Sequence, residues 1–391
     1  MIKSRILIPY LLFLLFALYL LQGSLYPSGS FTSRTILFLI LLISGSYIII
    51  IIIRTKVRPP RFLIAWSLLL LLNVFGFLFT ADFSNSYHFQ MFKNILGAML
   101  PIYPFYYYSR SNTLSDNDMK RFFFIIVPVT IVAFFSFKSQ VLSPGNPKSG
   151  EVVNTMAYSF VYLIPFVFFF KRKRLFSALL IAIFMIFIIQ GAKRGAIIAG
   201  TLGLVMFFIL QLKTIKKQKP IKEYTAIIII TLILGILIYK TFVNNAFAIE
   251  RISSLTEGRF SNRDSIYTGI LSKWYNSENV LNFIFGYGFA SSLKLTGGAF
   301  AHNDWLELIS SFGIIGIAVY GYLFYSAIEE IRNNNREMNE SILMITIIII
   351  WGFTSLVSMW YTSFGVYNQA MLLGYLIGKR ERLSIEEYQY A

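Results

Sequence analysis

Apolar runs of membrane-spanning length follow one another from residue 6 onward and leave this chain little choice of solvent. Crossing roughly 30 Å of hydrocarbon takes about 20 helical residues. Runs such as 35–53 and 223–242 supply that length almost without charge. Charged residues make up only 14% of the chain, against roughly 25% in soluble domains. A single soluble domain and a disordered chain are therefore excluded. The absence of cysteine excludes disulfide scaffolds, thiolate nucleophiles and Cys-ligated metals. The two histidines, His88 and His302, leave little from which to build a His-rich metal site.

We read twelve spans: 6–22, 35–53, 62–80, 87–108, 122–137, 152–170, 175–190, 195–212, 223–242, 304–328, 341–359 and 364–378. The first has the look of a signal peptide, but it lacks a small-x-small cleavage site and a second apolar run follows closely, so it reads as an uncleaved span. Lys and Arg number 35 against 18 acidic residues. With the N-terminus in the cytoplasm, most of the basic residues fall on the cytoplasmic side, in 54–61, 109–121, 171–174 and 213–222 among others. The positive-inside rule then sets both termini inside. The expected fold is an all-α polytopic membrane protein of about twelve transmembrane helices. Residues 1–242 hold nine spans, 243–303 form a large outer loop with short helices, and 304–391 hold three spans and a cytoplasmic tail. Within the loop, 262–275 is expected to be a short surface helix with Ile266, Ile270 and Trp274 on one face.

Three places put charge where lipid-facing physics avoids it. The tight outer turn Gln190-Gly191-Ala192-Lys193-Arg194-Gly195 holds two cations, either snorkelling beside a small-residue packing face or held at a cavity mouth for an anion. The stretch Glu257-Gly258-Arg259-Phe260-Ser261-Asn262-Arg263-Asp264 carries two arginines, whose planar forks suit phosphate oxygens. Its plain alternative is a solvated loop of weak ion pairs. The third place is Ala301-His302-Asn303-Asp304-Trp305-Leu306-Glu307, where the loop enters the tenth span. Asn303 or Asp304 can cap that helix. The positive helix start pushes the imidazole toward its neutral form, which a general base requires, while Asp304 pulls the other way. The alternative is a histidine that only ties down the loop, and His88 is given that reading.

Read in order, these residues resemble a family. A basic-Gly turn (Lys193-Arg194-Gly195) is followed by an outer Arg-rich stretch (Arg259, Arg263-Asp264), then Gly286-Tyr287-Gly288. Last comes His302-Asn303-x-x-Leu306-Glu307 with Gly313 and Gly316. The set is similar to the O-antigen polymerase and ligase superfamily of bacterial envelope glycosyltransferases, and especially to its Wzy-type polymerase branch. The match covers roughly residues 185–325. The family usually has Ser-Arg-Gly at the first turn; Lys193 departs from that pattern and Arg194 keeps it. The resemblance implies a relation to the lipid-carrier (GT-C type) glycosyltransferases of the bacterial inner membrane, with the active site on the periplasmic face. It implies a glycan repeat unit linked through pyrophosphate to undecaprenol as donor and acceptor, and transfer without metal or cofactor. A chain-length regulator in the membrane is a candidate partner, and nucleic acid is not one.

On that resemblance, His302 takes the proton from an acceptor sugar hydroxyl as it displaces the pyrophosphate with inversion. Arg194, Arg259, Arg263 and Lys193 hold the pyrophosphate. Asn303, Asp304, Glu307 and Tyr287 bind or orient the acceptor. One rival is the O-antigen ligase, which moves finished glycan onto lipid A–core. A rival of another class is a repeat-unit flippase or other transporter, for which binding groups near the bilayer midplane are expected.

Overall fold

The computed structural model describes residues 7–54, 58–141, 153–215, 220–256, 263–332 and 338–390. Among these no strand forms; an isolated bridge joins Gln22 and Tyr26. An apolar solvent demands this, because a helix satisfies its backbone hydrogen bonds internally. In chain order the helices are α1 (Leu7–Leu20), α2 (Phe31–Arg54), α3 (Arg61–Thr80), α4 (Ser86–Met99), α5 (Ile102–Arg110) and α6 (Asp116–Val141). There follow α7 (Ala157–Leu163, continued as a 3₁₀ stretch Ile164–Phe170), α8 (Arg174–Gln190), α9 (Arg194–Lys213) and α10 (Pro220–Val243). The long loop folds as α11 (Ala246–Thr256), α12 (Arg263–Tyr275), α13 (Val280–Phe285) and α14 (Ser292–Thr296). The chain closes with α15 (Asp304–Arg332), α16 (Met338–Val357) and α17 (Tyr367–Tyr390).

Seven helices among the described residues are long and apolar enough to cross a membrane: α2, α3, α6, α9, α10, α15 and α16. Three shorter apolar helices, α1, α7 with its 3₁₀ continuation, and α8, accompany them. The run 87–108 is two helices, α4 and α5, separated at Leu100-Pro101. Proline lacks an N–H to continue the ladder, and the hydrogen-bond run breaks there although Leu100 and Pro101 both keep right-handed helical dihedrals. Ile228, Leu232 and Ile236 stand exposed one turn apart on α10, a stripe that water would penalise and lipid does not.

Aromatic side chains knit the interior. Trp351 stacks on Trp360 at 4.6 Å, and Trp66 meets Trp360 edge-on at 5.8 Å. Each buried indole N–H donates: Trp66 to the Met99 carbonyl, Trp351 to the Tyr320 hydroxyl and Trp360 to Gln369 Oε1. One connection set carries ion pairs, including Arg110–Glu381 at 2.9 Å, Lys379–Glu340 at 2.7 Å and Lys379–Asp116 at 3.0 Å. The alternate connections, those preceding α2, α7, α9, α15 and α17, line one large cavity.

Helix α15 is broken at Gly313, whose backbone (φ 59°, ψ −145°) lies outside the helical region. The break frees backbone carbonyls, and the Gly-x-Gly segment satisfies two of them. Tyr287 N donates to Ser310 O at 2.7 Å, and Gly288 N to Ser311 O at 3.1 Å. A Cβ on Gly286 would fall 2.4 Å from Phe312 N, so only glycine permits this approach. The break sets apart the first turns of α15, which carry the candidate site.

Candidate active site

The turn before α15 is fixed on both sides of His302. Asn303 caps the helix, its Oδ1 accepting from Trp305 N at 2.9 Å and Leu306 N at 3.1 Å. Its Nδ2 donates to the Leu356 carbonyl at 2.8 Å. Glu307, fully buried, accepts from Ala301 N at 2.6 Å and from the Ser292 hydroxyl at 2.7 Å. Between these anchors His302 adopts a left-handed backbone with φ 51°. That region costs an L-residue roughly 1–2 kcal/mol, and such strain gathers at functional sites. Its imidazole is exposed to the cavity, yet the wall around it is dense with protein atoms. Access and desolvation therefore coincide at this side chain.

Basic side chains converge on it. Lys193 sits at the N-cap position of α9 and lines the same cavity. Arg194 is the first residue of α9 and Arg263 the first of α12; Arg251 comes from α11. Arg263 Nη1 also donates to the Val357 carbonyl at 2.5 Å. Burial, then Arg263, Arg251 and Arg194, pushes the Lys193 ammonium down to about 8. Burial, then Arg263 and Lys193, pushes the His302 imidazole down to about 4. Lys193, Arg194 and His302 also lie at the starts of two helices, α9 and α15, where the helix dipole opposes positive charge and favours anions. Cations at helix starts repel both the dipole and one another. That arrangement is relieved when a multiply charged anion binds.

The cavity measures about 1060 Å³, beyond the roughly 300–1,000 Å³ typical of small-molecule sites. Tyr158 and Tyr162 of its wall are stacked at 6.0 Å. Helices α2 and α4 contribute Arg34, Gln90, Lys93 and Asn94 to its lining. Gly195 brings α9 against Tyr158: a Cβ there would lie 2.2 Å from the Tyr158 hydroxyl. The small residues of the turn thus serve packing, and Lys193 beside them lines the cavity.

His302 and Lys193 line the cavity, and Arg194 and Arg263 act electrostatically beside them. Arg259 lies outside the described residues. Asp304 is fully buried and turned away from the cavity. It accepts from Trp360 N at 3.0 Å, Tyr361 N at 3.4 Å and the Tyr320 hydroxyl at 3.0 Å. Asp304 and Glu307 therefore hold backbone in place and do not face an acceptor. Tyr287 is also outside the cavity lining, its hydroxyl donating to the Lys273 carbonyl at 2.6 Å. His88 has the structural part expected of it, its Nδ1 accepting from Asp82 N at 3.1 Å. Sequence reading missed Arg251, Arg34 and Lys93. The one available signal was Lys93, a charge inside an apolar run. Among the described residues no group of three His, Asp or Glu side chains converges as a metal site would require. In comparison with known proteins, the chain matches no family model and no curated protein.

Proposed function

We propose that this chain is a surface-polysaccharide polymerase of the O-antigen type, a glycosyltransferase acting on undecaprenyl-pyrophosphate-linked sugars at the periplasmic face of the bacterial inner membrane. The observation that carries the reading is the meeting of His302 with Lys193, Arg194, Arg251 and Arg263 beside one large cavity. In this reading the twelve expected spans place both termini in the cytoplasm and the cavity outside. The fold is then of the lipid-carrier glycosyltransferase kind.

The chemistry is a single displacement. The acceptor hydroxyl oxygen bonds to the anomeric carbon of the donor glycan as that carbon's bond to the pyrophosphate oxygen breaks, inverting the centre. The hydroxyl proton passes to the His302 imidazole. The departing undecaprenyl pyrophosphate takes the bonding pair, and Lys193, Arg194 and Arg263, together with Arg259, hold the charge. Charge-assisted hydrogen bonds contribute about 1.5–3 kcal/mol each, and more as charge develops on the leaving oxygen. The bound anion also offsets the cations that depress His302. The base thus becomes more basic once the donor is in place.

Siting favours an enzyme over a transporter. Lys193 and Arg194 lie at the start of α9, His302 lies in the connection before α15, and Arg251 and Arg263 come from helices of the long loop rather than from the middle of a membrane-length helix, where transport sites gather. The test is a surface-glycan profile from a strain lacking the chain, complemented at matched membrane abundance. Wild type restores a long ladder, and His302→Ala leaves core bearing a single repeat. Bare core with long glycan accumulating on the carrier would mean a ligase. Bare core with unpolymerised repeats on the cytoplasmic face would mean transport. A full ladder from His302→Ala would remove the base assignment.

A further inference from the structure

The cationic cluster at His302 accounts for part of the cavity lining. Helices α2 and α4 add two further basic side chains to that lining, Arg34 and Lys93. Lys93 is half-buried within an apolar stretch and forms no ion pair or side-chain hydrogen bond among the described residues. A lysine so placed is costly, and such residues mark ligand paths.

Lys93 also borders a second space. An open groove of about 540 Å³ runs between α2 and α4, lined by Leu37, Leu41, Phe89, Phe92 and Leu96. Leu37, Gln90 and Lys93 belong to both the groove and the cavity, so the two adjoin there. The groove follows α4 from Ser86 to Leu96. At 1.5 Å per residue this is about 15 Å, close to half of a hydrocarbon core of roughly 30 Å. An apolar slot one leaflet deep, with a half-buried ammonium at its junction with a polar cavity, has the chemistry of a lipid with an anionic head.

We infer that the α2–α4 groove and the Lys93–Arg34 pair form a second lipid-phosphate site, which holds the carrier of the acceptor repeat unit. The assignment to the acceptor rests on the polymerase reading. In that reaction two carrier-linked glycans must be bound at once. The donor's pyrophosphate breaks away at the reacting carbon, so it belongs beside His302. The acceptor reacts through a sugar hydroxyl, whereas its pyrophosphate sits at the other end of the repeat unit. Its phosphate therefore needs cations away from the base, across a cavity large enough for an oligosaccharide. Arg34 and Lys93 supply them, and the groove takes the isoprenoid tail.

The test uses the purified full chain in nanodiscs and a labelled long-chain isoprenyl phosphate as probe. Wild type binds two equivalents. Lys93→Gln weakens one of them about ten- to hundredfold, the size of a lost charge-assisted contact, Leu41→Trp weakens the same one by filling the groove, and Lys93→Arg restores it. Lys193→Gln weakens the other equivalent. Two undisturbed equivalents in both Lys93→Gln and Leu41→Trp overturn the inference. So does displacement of the Lys93-dependent equivalent by phosphatidylglycerol, which would make the groove a general anionic-lipid site. A polymerisation assay runs beside it: Lys93→Gln raises the KM for acceptor and leaves that for donor. Polymer made with unaltered acceptor KM overturns the site and spares the polymerase reading. Loss of the second equivalent in a protein that makes no polymer keeps the lipid site and removes that reading.

Discussion

An ordinary histidine base, with a pKa near 6.5, would be about nine-tenths protonated at pH 5.5 and would lose roughly tenfold of its activity there. His302 is pushed down to about 4 by burial first, Arg263 second and Lys193 third. At pH 5.5 only about 3% of it is then protonated in the free protein, so kcat/KM for the donor falls by only a few per cent between pH 7.5 and 5.5. The acid limb appears near pH 4. In the proposed reaction the limb of kcat, which reports the bound complex, lies higher, because a bound pyrophosphate would neutralise the neighbouring cations. Removing those cations shifts the free-protein limb upward in the order of their effect. Arg263→Gln moves it further than Lys193→Gln, and both lower kcat/KM by about 10- to 100-fold through lost phosphate contacts. The assay is initial-rate transfer from a carrier-linked donor by purified protein between about pH 3.5 and 8. A kcat/KM limb near 6.5 that neither variant moves would refute this electrostatic account of the base.

His302→Gly removes the side chain and relieves the left-handed backbone, so thermal unfolding should occur at an unchanged or higher temperature while transfer is lost. A marked fall in unfolding temperature would make the residue structural. Lys193→Met should stabilise the protein at pH 7. The ammonium, pushed down to about 8, is disfavoured in the folded state, so wild-type stability rises as pH climbs from 8 toward 10.5 and the gap to the variant closes; a gap that persists at pH 10.5 contradicts this. Gly195→Ala should cost about 1–3 kcal/mol by overpacking against the Tyr158 hydroxyl. Tyr158→Phe in the same chain should recover part of it, and strictly additive losses in a thermal-shift measurement would refute the clash. Asp304→Ala strands donors from Trp360, Tyr361 and Tyr320 and should lower folded yield sharply, each stranded group costing about 1–3 kcal/mol.

What the sequence made legible follows from how local each signal is. The Asn303 cap and the helix over Arg263–Tyr275 depend on a few adjacent residues, and both were readable. The anomalous Lys193-Arg194 turn and His302 stood out because lipid penalises charge. Direction was not readable: Asp304 and Glu307 sit beside His302 in sequence, yet both turn inward to hold backbone. Arg251 reaches the cluster from helix α11, and Arg34 and Lys93 line the same cavity from helices about a hundred residues or more before Lys193. No spacing rule joins residues at such separations. Gly286-Tyr287-Gly288 entered the reading only as part of the resemblance, with Tyr287 expected to bind or orient the acceptor; its backbone bonds the carbonyls freed by the break at Gly313, a contact the sequence did not signal. The split of 87–108 at Leu100-Pro101 was legible in the proline itself and was outweighed by the hydropathy around it.

The central claim is that His302, surrounded by cations, polymerises carrier-linked glycan. Its most direct test supplies purified protein with one defined undecaprenyl-pyrophosphate-linked repeat unit and reads product length by electrophoresis. Wild type should yield a ladder whose new linkage has the anomeric configuration opposite to the donor's, with undecaprenyl pyrophosphate released at each step. His302→Ala, at equal folded abundance, should yield the single repeat unit with transfer reduced by about 10²–10⁴-fold. A ladder of wild-type length from His302→Ala, or a wild-type product that retains the donor configuration, would contradict the account.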